Sequence, residues 1–488
     1  MKTLFAVLST LAMLVMLALP AAAIDIPSEV TLFRNVNIFD GQNEKPLEGY
    51  DVLVVKNLIE KIDKNIQLSN TYEIDLKTGG YKPITSGGMC DFTTTEPKVM
   101  VYEPEKMVKK EVKVNVIDGK GRTLMPGLID AHWHVLFNSV PIPELLSSDF
   151  AHLTIVGMKS AEGTLMRGFT TVRDVGGNPF SIKKAIDRGI YPGPRIYPSG
   201  PMISPTSGHS DGRPYTAVPT EDPDALSYLE RNAVLMRADG VAQMRLRVRE
   251  ALRMGASQIK ISTGGGVSSL YDPLDVTEYS EEEVKAAVEE ADNFGTYVAA
   301  HTFTDRATQM AINAGVKTVE HGFLLSEETL KMMKEKGVWL SIQPLLNDED
   351  AFTFPDPIST AKWIEVTDGT DRVYSSAKKL GVKIAFGTDI LFDPKLGPKH
   401  GKFLTKLKNW FTPYEALKIA TSTNAELLKM CGPRDPYRGE LGVVKAGALA
   451  DLILVDGNPL ENLDLVADPA KNFVMIMKEG KIYKNTIK

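Results

Sequence analysis

The chain has 488 residues, too many for one compact hydrophobic core, which predicts two domains or one large barrel with an accessory domain. Its 56 basic and 62 acidic residues give a net charge of -6 with no basic stripe, so nucleic acid is excluded as an expected partner. With only two cysteines, Cys90 and Cys431, the chain is neither a disulfide scaffold nor a cysteine metal site. Two buried free thiols are the favoured prediction, with one disulfide bridge as the alternative.

The first 23 residues have the layout of an export signal. Lys2 provides a basic start, an apolar run follows, and the segment ends in Ala21-Ala22-Ala23. This small-residue end is a processing feature, so residues 1–23 predict a cleavable signal peptide and a periplasmic or secreted protein. An uncleaved N-terminal anchor helix is the alternative. No other run is apolar enough to span a membrane, so we expect no membrane partner after cleavage.

Both ends of the mature chain carry the pattern of short strands. Residues 31–66 alternate apolar and polar side chains between Gly and Asn turns, and strand-and-turn segments return after residue 440. In residues 67–113 this alternation gives way to Gly-, Thr- and Pro-rich sequence, which indicates loops or an inserted hairpin. We therefore expect a small discontinuous β-sandwich built from residues 24–123 and 432–488.

The intervening residues 124–431 show a different rhythm. Strand-like apolar runs alternate with amphipathic stretches at 280–294, 326–336 and 412–430, and Ser280 followed by three glutamates is a good helix start. Eight such runs, each followed by a helix, are the pattern of an α/β fold, the (β/α)8 TIM barrel. The eight runs are LMPGLIDAHWHV, FTTVRDVG, RIYPSGPMIS, QIKISTGG, TYVAAHTF, KTVEHGF, GVWLSIQPLL and VKIAFGTDI.

Six metal-competent side chains fall at the ends of these runs. The chain has only seven histidines, and four of them occupy such ends: His132, His134, His301 and His321. Residues two apart in a strand face the same side, so His132 and His134 converge on the barrel mouth, where active sites of this fold are built. Asp389 ends the eighth run and can both bind a metal and take a proton from metal-bound water. The pattern predicts a metal centre.

Lys260, in IKIS, is the unusual member of the set. Burial among imidazoles and metal ions would depress the pKa of its ammonium group. The neutral amine can then react with CO2 to form a carbamate whose two oxygens bridge two metal ions. Two divalent ions carry four positive charges. The carbamate, Asp389 and a bridging hydroxide would together balance three of them. An ion pair inside the barrel mouth is the alternative for Lys260.

In combination, these motifs resemble the amidohydrolase superfamily over nearly the whole mature chain. The resemblance rests on PGLIDAHWH, KIS at 260–262, His301, EHG at 320–322, GTD at 387–389 and the late GALADLILVDGNPL. Within the superfamily, ISPTSGHSDGR and KISTGGGVSS resemble the prolidase-like dipeptidases and carboxypeptidases that act on Xaa-linked C-terminal residues. Ochratoxinase-type amidases look similar as well.

The resemblance implies two divalent metal ions, expected to be zinc, and a CO2-derived carbamate. The implied ligands divide between the ions: His132, His134 and Asp389 for the more buried one, His301 and His321 for the other, and carboxylated Lys260 as the bridge. The implied reaction is cleavage of a peptide or amide bond of dipeptides or N-acyl amino acids by metal-activated hydroxide, with Asp389 passing the proton to the leaving amine. The expected partner is a small-molecule or peptide substrate, and family analogy alone suggests a homo-oligomer.

Loops at the barrel mouth offer candidates for substrate contact. The resemblance makes His209 a catalytic and substrate-contacting residue, a donor to the carbonyl oxygen as negative charge develops; an ordinary solvated loop histidine is its alternative. Relatives often carry an aromatic hydroxyl two residues after the fifth-strand histidine, where this chain has Phe303. If that hydroxyl contacts the substrate's carboxylate, this protein handles that end differently. Arg213 and Tyr271 are candidate anchors, with plain loop residues as the alternative.

Two other classes of function stay open. A cyclic-amide hydrolase or deaminase, such as an imidazolonepropionase, usually manages with one metal ion and lacks the bridging lysine, so Lys260 disfavours it. A catalytically inactive barrel used for binding would have lost ligands, whereas all six positions here are metal-competent. Residues 264–266 are not followed by GKS or GKT, which excludes a P-loop. We interpret His152 and His400 as structural.

Overall fold

A mixed α/β fold is seen in the computed structural model, which describes residues 26–74, 81–84, 88–92, 94, 96–103, 108–220, 222 and 225–487. The predicted signal peptide, residues 1–23, lies outside the described residues. Among the described helices, none combines the length and the hydropathy needed to cross a membrane. Cys90 and Cys431 are both buried free thiols.

The strands, numbered in chain order, are β1 Glu29–Ile38, β2 Leu47–Val55, β3 Leu58–Asp63, β4 Thr71–Ile74, β5 Tyr81–Pro83, β6 Lys98–Glu103, β7 Val108–Asp118, β8 Thr123–Pro126, β9 Leu128–Trp133, β10 Phe169–Asp174, β11 Arg195–Pro198, β12 Met202–Ser204, β13 Leu235–Arg237, β14 Ile259–Ser262, β15 Val298–Thr302, β16 Thr318–His321, β17 Trp339–Ile342, β18 Ile384–Phe386, β19 Leu452–Val455, β20 Phe473–Lys478 and β21 Lys481–Asn485.

The α-helices are α1 Ile142–Ser147, α2 Phe150–Met166, α3 Phe180–Asp187, α4 Tyr228–Arg231, α5 Gly240–Met254, α6 Glu281–Asn293, α7 Asp305–Ala314, α8 Glu327–Lys336, α9 Pro357–Leu380, α10 His400–Thr405, α11 Pro413–Lys418, α12 Asn424–Lys429 and α13 Pro469–Asn472. The predicted helix at 280–294 corresponds to α6, and a capping box between Ser280 and Glu283 begins it. The stretch 412–430 is not one regular helix, because the π-helical segment Ile419–Thr423 separates α11 from α12.

One large sheet combines the two ends of the described chain. Its eleven strands are β1 to β8 and β19 to β21, and β8 pairs antiparallel with β19 where the two ends meet. From the segment 67–113, β4 and β5 form an antiparallel hairpin, and β4 also pairs with β6. This segment therefore widens the sheet by hairpin strands as well as loops.

Two parallel sheets carry the strands of the central region. Their orders are β11-β10-β9 and β13-β12-β14-β15-β16-β17-β18. The third predicted strand is divided into two, because residues 199–201 separate β11 from β12. The sequence did not predict the additional strand β13. The amide of Asn424 donates to the carbonyls of Ile129 in β9 and Phe386 in β18, each at 2.8 Å. These bonds tie the first and last strands of the series together.

Candidate metal centre

Five of the six predicted metal ligands lie at or just after the carboxyl ends of parallel strands, and Lys260 lies within one. The six are His132 in β9 with His134 just after it, Lys260 in β14, His301 in β15, His321 in β16 and Asp389 just after β18. Parallel strands present their carboxyl ends at one edge of a sheet, so side chains far apart in the sequence meet there. The fold thus explains why these residues can form one cluster.

The tightest group consists of His132, His134 and Asp389, whose potential ligand atoms all lie within 4.8 Å of one another. Asp389 Oδ1 is 3.1 Å from His134 Nε2 and 3.5 Å from His132 Nε2. His132 Nε2 and Asp389 Oδ1 are buried, and neither makes a well-formed hydrogen bond. Two imidazoles and a carboxylate are ligands that zinc takes, so this donor set fits a divalent metal ion.

His321 and His301 extend this group. The His321 ring centroid lies 4.7 Å from that of His132 and 4.5 Å from that of His301, and His321 Nδ1 is 3.8 Å from Asp389 Oδ2. Lys260 is close enough for its charge to lower the pKa of each of these three histidines. All six predicted residues therefore come together in one cluster.

Burial sets the protonation of the cluster. It is the main cause that lowers the pKa of His132, His301 and His321 well below the ordinary value. Burial likewise lowers the pKa of Lys260 to about 8, against the opposing effect of nearby carboxylates. At neutral pH the three imidazoles are therefore uncharged and keep a lone pair for a metal ion, and the lysine loses its proton more easily than an exposed one.

Two side chains orient histidine rings of the cluster. Glu320 Oε2 lies 2.8 Å from His132 Nδ1, and Gln343 Oε1 lies 2.8 Å from His321 Nδ1. Because a carboxylate or amide oxygen accepts, each Nδ1 is the donor and each Nε2 keeps its lone pair. The sequence placed Glu320 within the EHG motif without a role and did not single out Gln343. The only available signal was their position at the ends of predicted strands.

Two residues of the cluster hold unusual backbone conformations. His321 has φ 75° and Asp389 has φ 50°, in the left-handed region that non-glycine residues seldom adopt. The Asp389 N–H donates to the carbonyl of His132 at 2.9 Å. Left-handed residues cluster at functional sites, where the surrounding structure holds them. Both conformations occur where the chain leaves a strand and its side chain enters the cluster.

His209 lies against the cluster and not in open solvent. Its ring stacks on that of His301 with centroids 4.2 Å apart. His209 Nδ1 is 2.6 Å from Ser269 Oγ and 3.3 Å from Asp272 Oδ2. Gly266 leaves the space that the ring fills, since a Cβ there would lie 2.0 Å from it. The contacts with Ser269 and Asp272 both engage Nδ1, and Nε2 takes part in neither.

The loop behind His209 is held by Lys362 of α9. Lys362 Nζ donates to the carbonyl oxygens of Gly266, Ser269 and Asp272 at 2.9, 2.7 and 2.8 Å. An ammonium group has three donors, and here each one meets a different carbonyl of the same loop. Lys362 comes from a helix about ninety residues further along the chain, so no local pattern in the sequence pointed to it.

The other predicted substrate contacts have different surroundings. Arg213 donates from Nε and Nη2 to the two carboxylate oxygens of Asp211, at 2.7 and 2.6 Å, so this face of its guanidinium is already engaged. Tyr271 is 50% exposed. Phe303 is buried, and its ring stacks on that of His321 with centroids 5.2 Å apart. An apolar ring therefore lies beside His321 at this position.

The two remaining histidines lie outside this cluster. His400 is fully buried between Trp133 and Phe169, with ring centroids 4.4 and 3.5 Å away, and its Nε2 lies 2.8 Å from Asp130 Oδ2. His152 is on the surface. His400 is therefore packed in the core, and the structural interpretation of His152 stays a prediction.

Comparison with known proteins identifies the family. Residues 123–484 match the Amidohydrolase family. The ochratoxinase of Aspergillus niger is 34% identical over 376 residues, which cover 74% of this chain and 75% of that protein. A solved prolidase complexed with N-methylphosphonate-L-proline is 32% identical with a TM-score of 0.76, covering 94% of this chain and 100% of its own. A Xaa-Pro dipeptidase with bound methionine in its active site is 26% identical with a TM-score of 0.73 and the same coverages.

These matches confirm the resemblance to the amidohydrolase superfamily and to its prolidase-like and ochratoxinase-like branches. The matched range includes every residue of the cluster. The chain therefore belongs to the Amidohydrolase family and is a hydrolase acting on amide bonds.

Proposed function

We propose that the chain is a binuclear metal-dependent amidohydrolase that cleaves the peptide or amide bond of dipeptides or N-acyl amino acids. The observation that carries the proposal is the convergence of His132, His134 and Asp389 around the buried, unpartnered Nε2 of His132. The adjacent His301 and His321 supply ligands for a second ion. The similar prolidase, dipeptidase and ochratoxinase support an amide-bonded substrate of modest size.

Each side chain of the cluster has a definite task in this reaction. When bound, the two ions, zinc in our proposal, lower the pKa of a water molecule and polarise the scissile carbonyl. Asp389, whose side chain is 16% exposed, accepts the proton of that water and passes it to the leaving amine. His209 donates from Nε2 to the carbonyl oxygen as negative charge develops. The buried Phe303 keeps water from the neighbouring His321.

Lys260, once carboxylated by CO2, would help to hold both ions in this proposal. Its neutral Nζ forms a bond to the carbon of CO2 and releases one proton, so an uncharged amine becomes a group with one negative charge and two oxygens. Complete burial and a pKa lowered to about 8 support this step, because they raise the uncharged fraction of the amine. The new negative charge would offset part of the charge of bound metal ions.

We further propose that the two parallel sheets are parts of one (β/α)8 barrel over residues 124–431. The bonds from Asn424 to β9 and β18 support closure, and so does the similarity to solved amidohydrolases. Residues 24–123 and 432–488 then form the accessory β-sandwich, for which the shared eleven-stranded sheet is the support. Export through a cleaved signal at 1–23 and assembly into a homo-oligomer complete the proposal.

Metal quantification, together with a screen of dipeptides and N-acyl amino acids, tests this function. We expect two ions per chain and release of an amino acid. Lys260→Ala should lose the bridged ion pair and the activity, whereas Lys285→Ala, at a half-exposed lysine of α6, should keep both. Two ions and full activity in Lys260→Ala would refute the carbamate. One ion per chain with deamination or ring opening would instead support a cyclic-amide hydrolase or deaminase.

A further inference from the structure

A buried ion pair lies beside the metal cluster, between Arg173 of β10 and Glu320 of β16. Both side chains have 0% exposure, and Arg173 Nη2 donates to both carboxylate oxygens at 2.8 Å. Thr318 Oγ1 adds a second donor to Glu320 Oε1 at 2.7 Å. The second donor to Oε2 is His132 Nδ1, at 2.8 Å. Both carboxylate oxygens are therefore fully engaged, and one of them faces a predicted metal ligand.

The guanidinium of Arg173 is itself held by neighbouring strands. Its Nε donates to the carbonyl of Ala131 at 2.5 Å, its Nη1 to the Tyr297 hydroxyl at 3.2 Å and its Nη2 to Ser341 Oγ at 3.2 Å. Arg173 is thereby fixed against β9, β17 and the start of β15. Because the guanidinium is planar and rigid, it holds the carboxylate of Glu320 in one orientation.

This orientation decides which nitrogen of His132 can bind a metal ion. A carboxylate accepts from Nδ1–H, so the lone pair of the neutral ring is on Nε2, which lies 3.5 Å from Asp389 Oδ1. We infer that Glu320, clamped by Arg173, is a positioning residue that fixes the tautomer and ring orientation of His132 for the more buried metal ion. The inference rests on the proposed metal-dependent function and adds two residues that do not themselves bind the metal.

The ionic nature of this pair supports a positioning role. Removing two charges from water is costly, and an apolar pair of similar volume often gives equal or greater stability. Packing alone therefore gives no reason for Arg173 and Glu320 to be here. A carboxylate aimed at His132 is something that an apolar pair lacks, and carboxylates behind metal-binding histidines raise metal affinity. The positive charge of Arg173 keeps the pair neutral next to the metal ions.

Three variants separate these contributions. Glu320→Leu removes the acceptor for His132 Nδ1, whereas Glu320→Gln keeps an amide oxygen that can accept the same bond. The double variant Arg173→Met/Glu320→Leu removes both charges and so avoids an unpaired buried guanidinium. Zinc affinity is measured by chelator competition on metal-free protein, and folding by circular dichroism. We expect Glu320→Leu and the double variant to bind the more buried ion about 10–100-fold more weakly, and Glu320→Gln to recover most of the affinity.

Asp451→Leu is the matched control, because Asp451 belongs to another buried ion pair, with Arg195 at 3.0 Å, next to β19 of the large sheet. This variant should lose stability and keep the zinc affinity. A purely structural role for Glu320 predicts that same outcome for Glu320→Leu. Unchanged zinc affinity in folded Glu320→Leu or in the folded double variant would overturn the inference. A wild-type protein that binds no metal would overturn the proposed function as well, before any variant is compared.

Discussion

Replacing Gly266 by alanine should displace His209 without altering any side chain proposed to touch substrate or metal. The added Cβ would lie 2.0 Å from His209 Cε1 and Nδ1. Carbon atoms in contact are about 3.5 Å apart, so ring and loop must separate by about 1.5 Å. The Gly266 N–H donates to Asp272 Oδ2 at 2.6 Å and its carbonyl accepts from Lys362 Nζ at 2.9 Å, so the loop is held in place. The imidazole is expected to move.

The expected cost follows from this displacement. A shift of about 1.5 Å breaks the 2.6 Å contact between His209 Nδ1 and Ser269 Oγ and moves Nε2 away from the substrate carbonyl that it is proposed to contact. Misplacement of a catalytic group by about 1 Å can cost about 100-fold. We therefore expect Gly266→Ala to lower kcat/KM by roughly 100-fold, or about 2.7 kcal/mol of transition-state stabilisation.

Steady-state kinetics on the best substrate of the screen provides the assay. Gly264→Ala is the matched control in the same loop, because its Cβ would meet nothing closer than Thr302 Oγ1 at 3.1 Å. Gly266→Ala combined with His209→Ala should be no worse than His209→Ala alone, since both act through one ring. A wild-type kcat/KM in folded Gly266→Ala would refute the reasoning. A further 100-fold loss in the double variant would show that the loop acts independently of His209.

Two further predictions concern proton transfer and pH. Asp389→Asn should bind metal and fold but lose about 10²–10⁴-fold in kcat; unchanged kcat at full metal occupancy would remove Asp389 as the proton acceptor. Burial lowers the pKa of His400 from 6.5 to about 4. The unfolded chain is then protonated first as the pH falls, so about 3 kcal/mol of stability is lost between pH 6.5 and pH 4. Urea unfolding of metal-free protein should show a smaller loss in His400→Asn than in wild type or in His152→Asn; equal losses would contradict this.

The positions of the predicted ligands could be inferred from the sequence because each lies at or near the end of a short apolar pattern typical of a strand. His132 and His134 are two apart, so their convergence follows from the period of a strand alone. The helix beginning after Ser280 could be read for the same kind of reason, because its capping box lies within four consecutive residues. In both cases the information lies within a few consecutive residues.

Contacts between residues far apart in the sequence could not be predicted from any local pattern. Arg173 and Glu320 are 147 positions apart, and Lys362 of α9 contacts the loop behind His209, whose residues lie 90 to 96 positions before it. The division of the third predicted strand into β11 and β12 was not predicted either, although Gly200, with φ 75°, and the adjacent Pro201 lie between the two strands. Glycine and proline allow such a break, but the pairing of β12 with β13 depends on where the neighbouring strands lie.

The backbone of the cluster indicates which variants can separate chemistry from architecture. Left-handed conformations such as those of His321 and Asp389 cost on the order of 1–3 kcal/mol each and persist where neighbouring contacts hold them. Just after His321, the Gly322 N–H donates to the carbonyl of Thr302 at 2.9 Å, and the Asp389 N–H donates to that of His132 at 2.9 Å. Each strained turn is therefore tied to the end of the adjacent strand. A change that alters one of these turns must also move the neighbouring ligand, whereas Asp389→Asn and Glu320→Gln leave the main chain in place and test the chemistry alone.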